Sequence, residues 1–197
     1  MQWLVVGLGN PGGEYERTRH NVGRDIVRAL AKKEGVGEFT EHTKSNALIA
    51  KGELFGVKAT LILPDTYMNN SGKALGAFVA SKNDARKVVV IQDELDLPLG
   101  KVKCSFGNSS GGHRGIESIQ KALKTKDFIR VRVGISRSTP SGKVKKPLSD
   151  DTADFVLGKF TPLEQEKLKK VHKVVAHALE IILTDGLEKA QTVIHAQ

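Results

Sequence analysis

His20 is the next-to-last residue of a polar stretch, Gly7-Leu-Gly-Asn-Pro-Gly-Gly-Glu-Tyr-Glu-Arg-Thr-Arg-His-Asn21, that follows the apolar run Trp3–Val6. An imidazole in such a loop is a candidate general base, because histidine changes charge near neutral pH without help from its surroundings. Its competing role is a surface residue or a helix cap. Asp93 is the natural partner. It opens the acidic run Asp93-Glu-Leu-Asp96 after the strand-like Val88-Val-Val-Ile-Gln92. A carboxylate at the end of a buried strand can hold an imidazole in one tautomer and stabilise its protonated form; capping a turn is its alternative. Asn10 and Asn69 each donate and accept, so they suit a bound carbonyl and a water at once, with turn formation as the rival account. The chemistry on offer is proton abstraction by an oriented imidazole, beside carboxamides able to position a substrate.

Other side chains fall around these. Tyr15 offers a stacking face, or packs under its own loop. Met68 reads as a flexible wall of a crevice, or as core. His113 follows Gly111 and Gly112 and precedes a helical pattern, so this loop could present backbone N–H groups to a phosphate or carbonyl. Asn21 also reads as the N-cap of a helix beginning at Val22. Lys103, Arg130 and Arg132 would line an anionic partner, or else solvate a strand face. No nucleophile is signalled: G-x-S-x-G is missing, Cys104 lies in a strand pattern, and Ser71 looks like a cap. His20, His42 and His113 lack metal-ligand spacing, so no metal is expected. Gly7–Gly12 fits G-x-G-x-x-G, but three features argue against a dinucleotide. Pro11 removes an N–H from the turn, a long polar run delays the helix, and no acid-tipped strand follows at the required distance.

Elements able to position these residues are legible in the periodicity. Val22, Ile26 and Leu30 mark a helix stopped at Gly35. Ala47–Lys51 and Val57–Leu63 read as a hairpin across Gly52 and Gly56. Pro64–Gly72 is a loop opening a helix with Leu75, Phe78 and Val79 inward and Asn70 or Ser71 as cap. Lys87–Gln92 is a strand buried on both faces, ending abruptly at Asp93; Lys101–Phe106 is another. Ile116, Ile119 and Leu123 mark a further helix. Phe128–Ile135 alternates, with Val131, Val133 and Ile135 inward and Arg130 and Arg132 outward. Residues 136–150 have no apolar period and read as a mobile loop. Thr161-Pro-Leu-Glu164 is a capping box with proline at the first helical position. It opens a helix with Leu168, Val171, Val175, Ala178 and Ile182 on one face, broken at Asp185-Gly186, and Leu187–His195 closes the chain. Helices alternating with strands imply an α/β fold, a single domain spanning 1–197 with a twisted mixed β-sheet flanked by helices. Ligands of such sheets sit beyond the carboxyl ends of strands, which is where these polar loops fall.

At 197 residues, with 39% hydrophobic residues and 20 glycines, the chain suits one substantial core with many tight turns. No apolar run nears the ~18 residues of a membrane span, and no charged-then-apolar leader opens the sequence. One cysteine rules out an internal disulfide and a cysteine metal cage. Cytoplasm is the expected compartment. Thirty-one basic residues against 22 acidic, a net charge of +9, favour a polyanionic partner, RNA above all.

Several separated blocks in order carry a resemblance that runs from about Leu4 to His195. They are GLGNPGGEYERTRHNVG at 7–23, PDTYMNNSGKAL at 64–75, IQDELDLPLGKVK at 91–103, SGGHRGIESI at 110–119, RVRVGI at 130–135, DFVLGKF at 154–160 and TDGLEKA at 184–190. On these the chain resembles bacterial-type peptidyl-tRNA hydrolase. The resemblance implies a monomeric, cofactor-free enzyme that needs no metal and cuts the ester between peptide and tRNA in peptidyl-tRNA. It implies His20 as catalytic base, Asp93 as its partner, and Asn10 and Asn69 as groups positioning substrate and water. It places Tyr15, Met68, Asn21, Gly112, His113 and Arg114 along the substrate crevice, and Lys103, Arg130 and Arg132 on tRNA phosphates. Two departures stand out. The family commonly has asparagine after the GGH histidine, where this chain has Arg114, and a basic residue where this chain has Ser105. A non-catalytic RNA-binding relative of the same fold is the main rival, and a dinucleotide-dependent oxidoreductase the third reading.

Overall fold

The structure is a computed structural model and describes residues 2–196. The chain enters through β1 (Trp3–Gly7) and, after the polar loop, forms α1 (Val22–Glu34), which stops at Gly35 in the left-handed region (φ 65°). Three strands follow, β2 (Thr40–His42), β3 (Ala47–Leu54) and β4 (Val57–Pro64), the last two forming the expected hairpin. Next come a 3-10 run (Met68–Leu75), the short α2 (Lys82–Ala85) with its own capping box at Ser81 and Asp84, and β5 (Val88–Pro98). The chain continues through β6 (Val102–Phe106), α3 (Arg114–Leu123), β7 (Ile129–Ser138) and β8 (Val144–Lys145). Three helices finish it: α4 (Thr152–Leu157), α5 (Pro162–Thr184) and α6 (Leu187–His195).

The sheet runs β2-β3-β4-β1-β5-β7-β6. Its centre is parallel (β4, β1, β5 and β7) and its edges antiparallel, so the mixed α/β sheet read from the sequence is the one that forms. Strand alternation divides the apolar residues between two layers. Val5, Val89, Ile91 and Val131 join α1, α5 and α6 on one face. Leu4, Val6 and Val90 meet Ile116, Ile119 and Phe128 on the other. Consecutive β-branched residues in β5 are thus apolar for both sides of the sheet. Gly23 lets α1 lie directly on this layer, because a β-carbon there would collide with the Ile91 carbonyl. Gly72 does the same for the 3-10 run against α3, where the obstacle would be the Ser118 carbonyl.

Four local expectations need correction. β5 does not end at Asp93 but carries the polar run onward to Pro98, because β7 supplies partners. Arg130 Nε donates to Gln92 Oε1 (2.9 Å) and Arg132 Nε to Glu94 Oε2 (2.8 Å). Arg130 is consequently not an outward residue; it is 2% exposed. The element after Pro64 is a 3-10 run rather than an α-helix and has no side-chain cap, since the Ser71 hydroxyl donates back to the Met68 carbonyl (2.8 Å). Residues 136–150 are partly ordered by pairing: β7 continues to Ser138 and β8 returns against it. By contrast, the Thr161–Glu164 capping box and Pro162 open α5 as expected, and α6 has the expected bounds.

Candidate active site

His20 sits in a 3-10 turn (Arg19–Asn21) just before α1, and distant parts of the chain hold that turn in place. Thr18 bridges to Lys159, and Arg19 N–H donates to the Gly158 carbonyl (3.0 Å). The Arg19 guanidinium donates to the Lys159 carbonyl (2.7 Å) and to Glu164 (2.8 Å), and lies over the rings of Phe155 (4.6 Å) and Phe160 (5.1 Å). A buried arginine with this many partners is an anchor, and it fixes the backbone of the next residue.

Across from it, β5 presents Asp93, 3% exposed. His20 Nδ1 lies 2.9 Å from Asp93 Oδ1, and His113 Nε2 lies 2.9 Å from the same oxygen. The two imidazoles are 5.1 Å apart and tilted at 40°. Burial opposes a charge on His20, but the carboxylate, by charge and by hydrogen bond, outweighs it, while Arg114 pulls the other way. The result is a His20 pKa above the ordinary histidine value. Burial alone would raise the Asp93 carboxyl; His20 and His113 together hold it well below the usual range. With Nδ1–H turned to Asp93, the His20 Nε2 lone pair remains to accept a proton.

His20, Asp93 and His113 place three potential metal-ligating atoms within 4.8 Å of one another. Spacing along the sequence concealed that proximity. The hydrogen bonds nevertheless argue against a cation there. His113 Nδ1 accepts from the Gly115 and Ile116 amides (3.1 and 3.4 Å), so its proton belongs on Nε2, the nitrogen a metal would need bare.

The asparagines do different jobs. Asn10 is buried and its Oδ1 accepts from Met68 N–H (2.8 Å), leaving Nδ2 as a donor with no hydrogen-bond partner among the described residues. Asn21 makes no helix cap. Its Oδ1 accepts from Asn10 N–H and its Nδ2 donates to the Asn10 carbonyl, both at 2.8 Å, so its carboxamide is spent on shaping the loop. Asn69 is exposed and shares an open groove with Lys73, Arg114, Ser118 and Lys121. Met68 is buried in the core layer beneath α3. Tyr15 is half-buried and meets Tyr67 edge-on at 6.3 Å.

The glycine loop before α3 does not offer the open row of amides that its composition suggested. Gly112 N–H is taken by Ser110 Oγ (3.1 Å), and the Gly115 and Ile116 amides in the first turn of α3 are taken by His113. Of the basic residues, Lys103 is exposed and Arg132 is tied to Glu94. Arg130 is buried under Ser109 and Gln92, and burial beside Arg132 pulls its pKa down to about 10. Sequence reasoning assigned no role to Tyr67, Lys73 or Lys121. For Tyr67 the signal in the sequence is an aromatic residue within the polar loop between Pro64 and Met68, and it proves 60% exposed. A second cavity of about 750 Å³ opens between α1 and α5, behind the loop; it touches Asn10 and Asn21 but neither His20 nor Asp93.

Fold and site together define an α/β protein with a histidine oriented by a buried carboxylate beside polar groups. The peptidyl-tRNA hydrolase family profile matches residues 4–197, and the chain belongs to that family. A peptidyl-tRNA hydrolase of Rhodococcus erythropolis is 44% identical over 193 residues, covering 98% of this chain and 97% of that one. One from a Mycobacterium species (strain KMS) is 44% identical over 194 residues, covering 98% and 96%. Among solved structures, the peptidyl-tRNA hydrolase of Acinetobacter baumannii superimposes with a TM-score of 0.86 at 30% identity, covering 99% of this chain and 95% of that one. A complex of peptidyl-tRNA hydrolase with N-propanol gives 0.87 at 31% identity, with the same coverage.

Proposed function

We propose that this protein hydrolyses the ester linking a peptide to the 3′ end of tRNA, with His20 as general base. One observation carries the assignment of roles: His20 Nδ1 on Asp93 Oδ1 at 2.9 Å, with the opposite nitrogen left as an acceptor. Nε2 takes a proton from water as the oxygen attacks the acyl carbon. The tetrahedral intermediate then expels the ribose oxygen, which recovers the proton from the imidazolium. An ester has a good enough leaving group for one activated water to suffice, so neither covalent intermediate nor metal enters the scheme. The free Nδ2 of Asn10 and the exposed carboxamide of Asn69 are suited to hold the carbonyl and the water. Tyr15 and Tyr67 offer ring faces for a terminal base, where stacking is worth about 1–3 kcal/mol.

Lys103 and the groove cations Lys73, Arg114 and Lys121 are the groups we assign to substrate charge. Arg114 at the groove mouth would favour an anionic part of the substrate where the family's asparagine would hydrogen-bond a neutral one. The same reading makes it a monomeric, cytoplasmic enzyme of translation. A non-catalytic RNA-binding role has no use for a buried aspartate shared by two histidines.

Release of free tRNA from an N-blocked aminoacyl-tRNA, compared with the unblocked form, tests the activity. Cleavage of the blocked substrate alone is expected. His20→Ala should lose roughly 10²–10⁴-fold in turnover while keeping tRNA affinity; a wild-type rate in that variant removes the assigned base.

A further inference from the structure

His113 is held at both ring nitrogens. It is the residue before α3, and its Nδ1 accepts from the Gly115 amide at 3.1 Å and the Ile116 amide at 3.4 Å. Helix capping of this kind ordinarily falls to serine, threonine, aspartate or asparagine. A histidine in that place has a second nitrogen left over. With Nδ1 occupied as an acceptor the proton sits on Nε2, and Nε2 lies 2.9 Å from Asp93 Oδ1, the oxygen that also receives His20 Nδ1–H. Two N–H donors therefore converge on one carboxylate oxygen, one from the turn before α1 and one from the start of α3.

We propose that His113 is a positioning residue for the catalytic base. Its ring, pinned by the first amides of α3, clamps Asp93 and draws off part of the carboxylate's charge, so that His20 is oriented by an anion whose pull on its proton is restrained. This rests on reading His20 as the general base. The advantage is chemical: a base held too strongly by its carboxylate stays protonated at working pH, and one not held at all loses its tautomer. The charged groups acting on His20 are Asp93 from β5 and Arg114 from α3; those acting on Asp93 are the two histidines.

The test uses His113→Asn in the full chain. Asparagine is among the best helix caps, so α3 keeps its start, but the shorter side chain does not span from those amides to Asp93. Titration of His20 by NMR should then move to higher pH by roughly half to one unit, a three- to tenfold change in proton affinity. The acid limb of kcat/KM should follow by the same amount. A purely structural role would lower the melting temperature and kcat together and leave the His20 midpoint where it was; that result, or a midpoint that falls, overturns the proposal. Should the variant not fold, ¹⁵N shifts of the wild-type protein decide: a proton on His113 Nδ1 rather than Nε2 at the pH of activity overturns it equally. Both NMR measurements are independent of turnover, so an active His20→Ala would sink the base assignment without being confused with failure here.

Discussion

Asp93 is buried, anionic and shared by two imidazoles, so in the proposed mechanism the reacting groups depend on it. Replacing it with asparagine removes the charge that outweighs burial at His20, so the imidazole pKa should drop. A base works only when deprotonated: wild-type activity is expected to fall as pH falls through the raised His20 value, and in Asp93→Asn that acid limb should sit at lower pH. Turnover on the plateau should also fall, by about 10²-fold or more, since the tautomer is no longer held. A pH–rate profile of both proteins checks the two effects separately. At the same scale, the hydrogen-bonded state of His113 leaves no bare nitrogen for a cation. A chelator is therefore expected to leave hydrolysis of a short N-acyl-aminoacyl oligonucleotide at full rate, since a substrate without tRNA tertiary structure has no need of magnesium for folding. Inhibition by the chelator would place a metal in the reaction.

Elements far apart in the chain hold the His20 turn, and two predictions belong to them. Glu164 both completes the α5 capping box and pairs with Arg19, the neighbour of His20. Burial would raise its pKa, but the Thr161 amide and Arg19 hold it below the ordinary value. Glu164→Ala should cost roughly 2–4 kcal/mol of stability, because a buried guanidinium is left without its anion and the Thr161 amide loses its acceptor while the Thr161 cap stays. Urea denaturation reads the stability, and kcat should fall with it because the turn carrying His20 loosens. In the first turn of α1, burial pushes Asp25 up to about 6, with Arg28 and Arg24 opposing and Glu16 assisting. A carboxyl whose folded pKa is raised favours the folded state at low pH and loses that advantage as pH rises through about 6. Asp25→Asn should accordingly raise the melting temperature most at pH 8, less at pH 4.5, and leave it nearly unchanged near pH 3, below the unfolded carboxyl value of 3.8.

Over the whole molecule, the charge of +9 is the property with a measurable signature. Each single-strand phosphate neutralised contributes about −0.7 to the log–log slope of affinity against salt. Lys73 and Lys121 are exposed in the groove beside Asn69 and have no ion pair among the described residues. Replacing both with alanine should flatten the slope for tRNA by about 1.4 if each meets a phosphate, raising KM at physiological salt with kcat kept. An unchanged slope would move the RNA path to Lys103 and its surroundings. Among the described residues no helix is long and apolar enough to cross a membrane.

Much of this was legible in the sequence because it depends on local rules. Alternation and helical period separated strands from helices, Gly35 and the Thr161–Glu164 box marked helix ends, and the loops after strands held the polar residues. Arg130 shows where that reading stops. Alternation in β7 assigned it outward, yet Gln92 and Glu94 on the neighbouring strand made a polar layer inside which an arginine is satisfied. The same limit hid His113. Ninety-three residues separate it from His20, and only the parallel pairing of β1 with β5, together with α3 arriving over β5, brings both rings to one oxygen of Asp93. The sequence by itself determined which side chains were available and which periodic faces had to be buried. Tertiary structure alone decided which of them share a proton, because hydrogen bonds act over about 3 Å and no spacing along a chain encodes that distance.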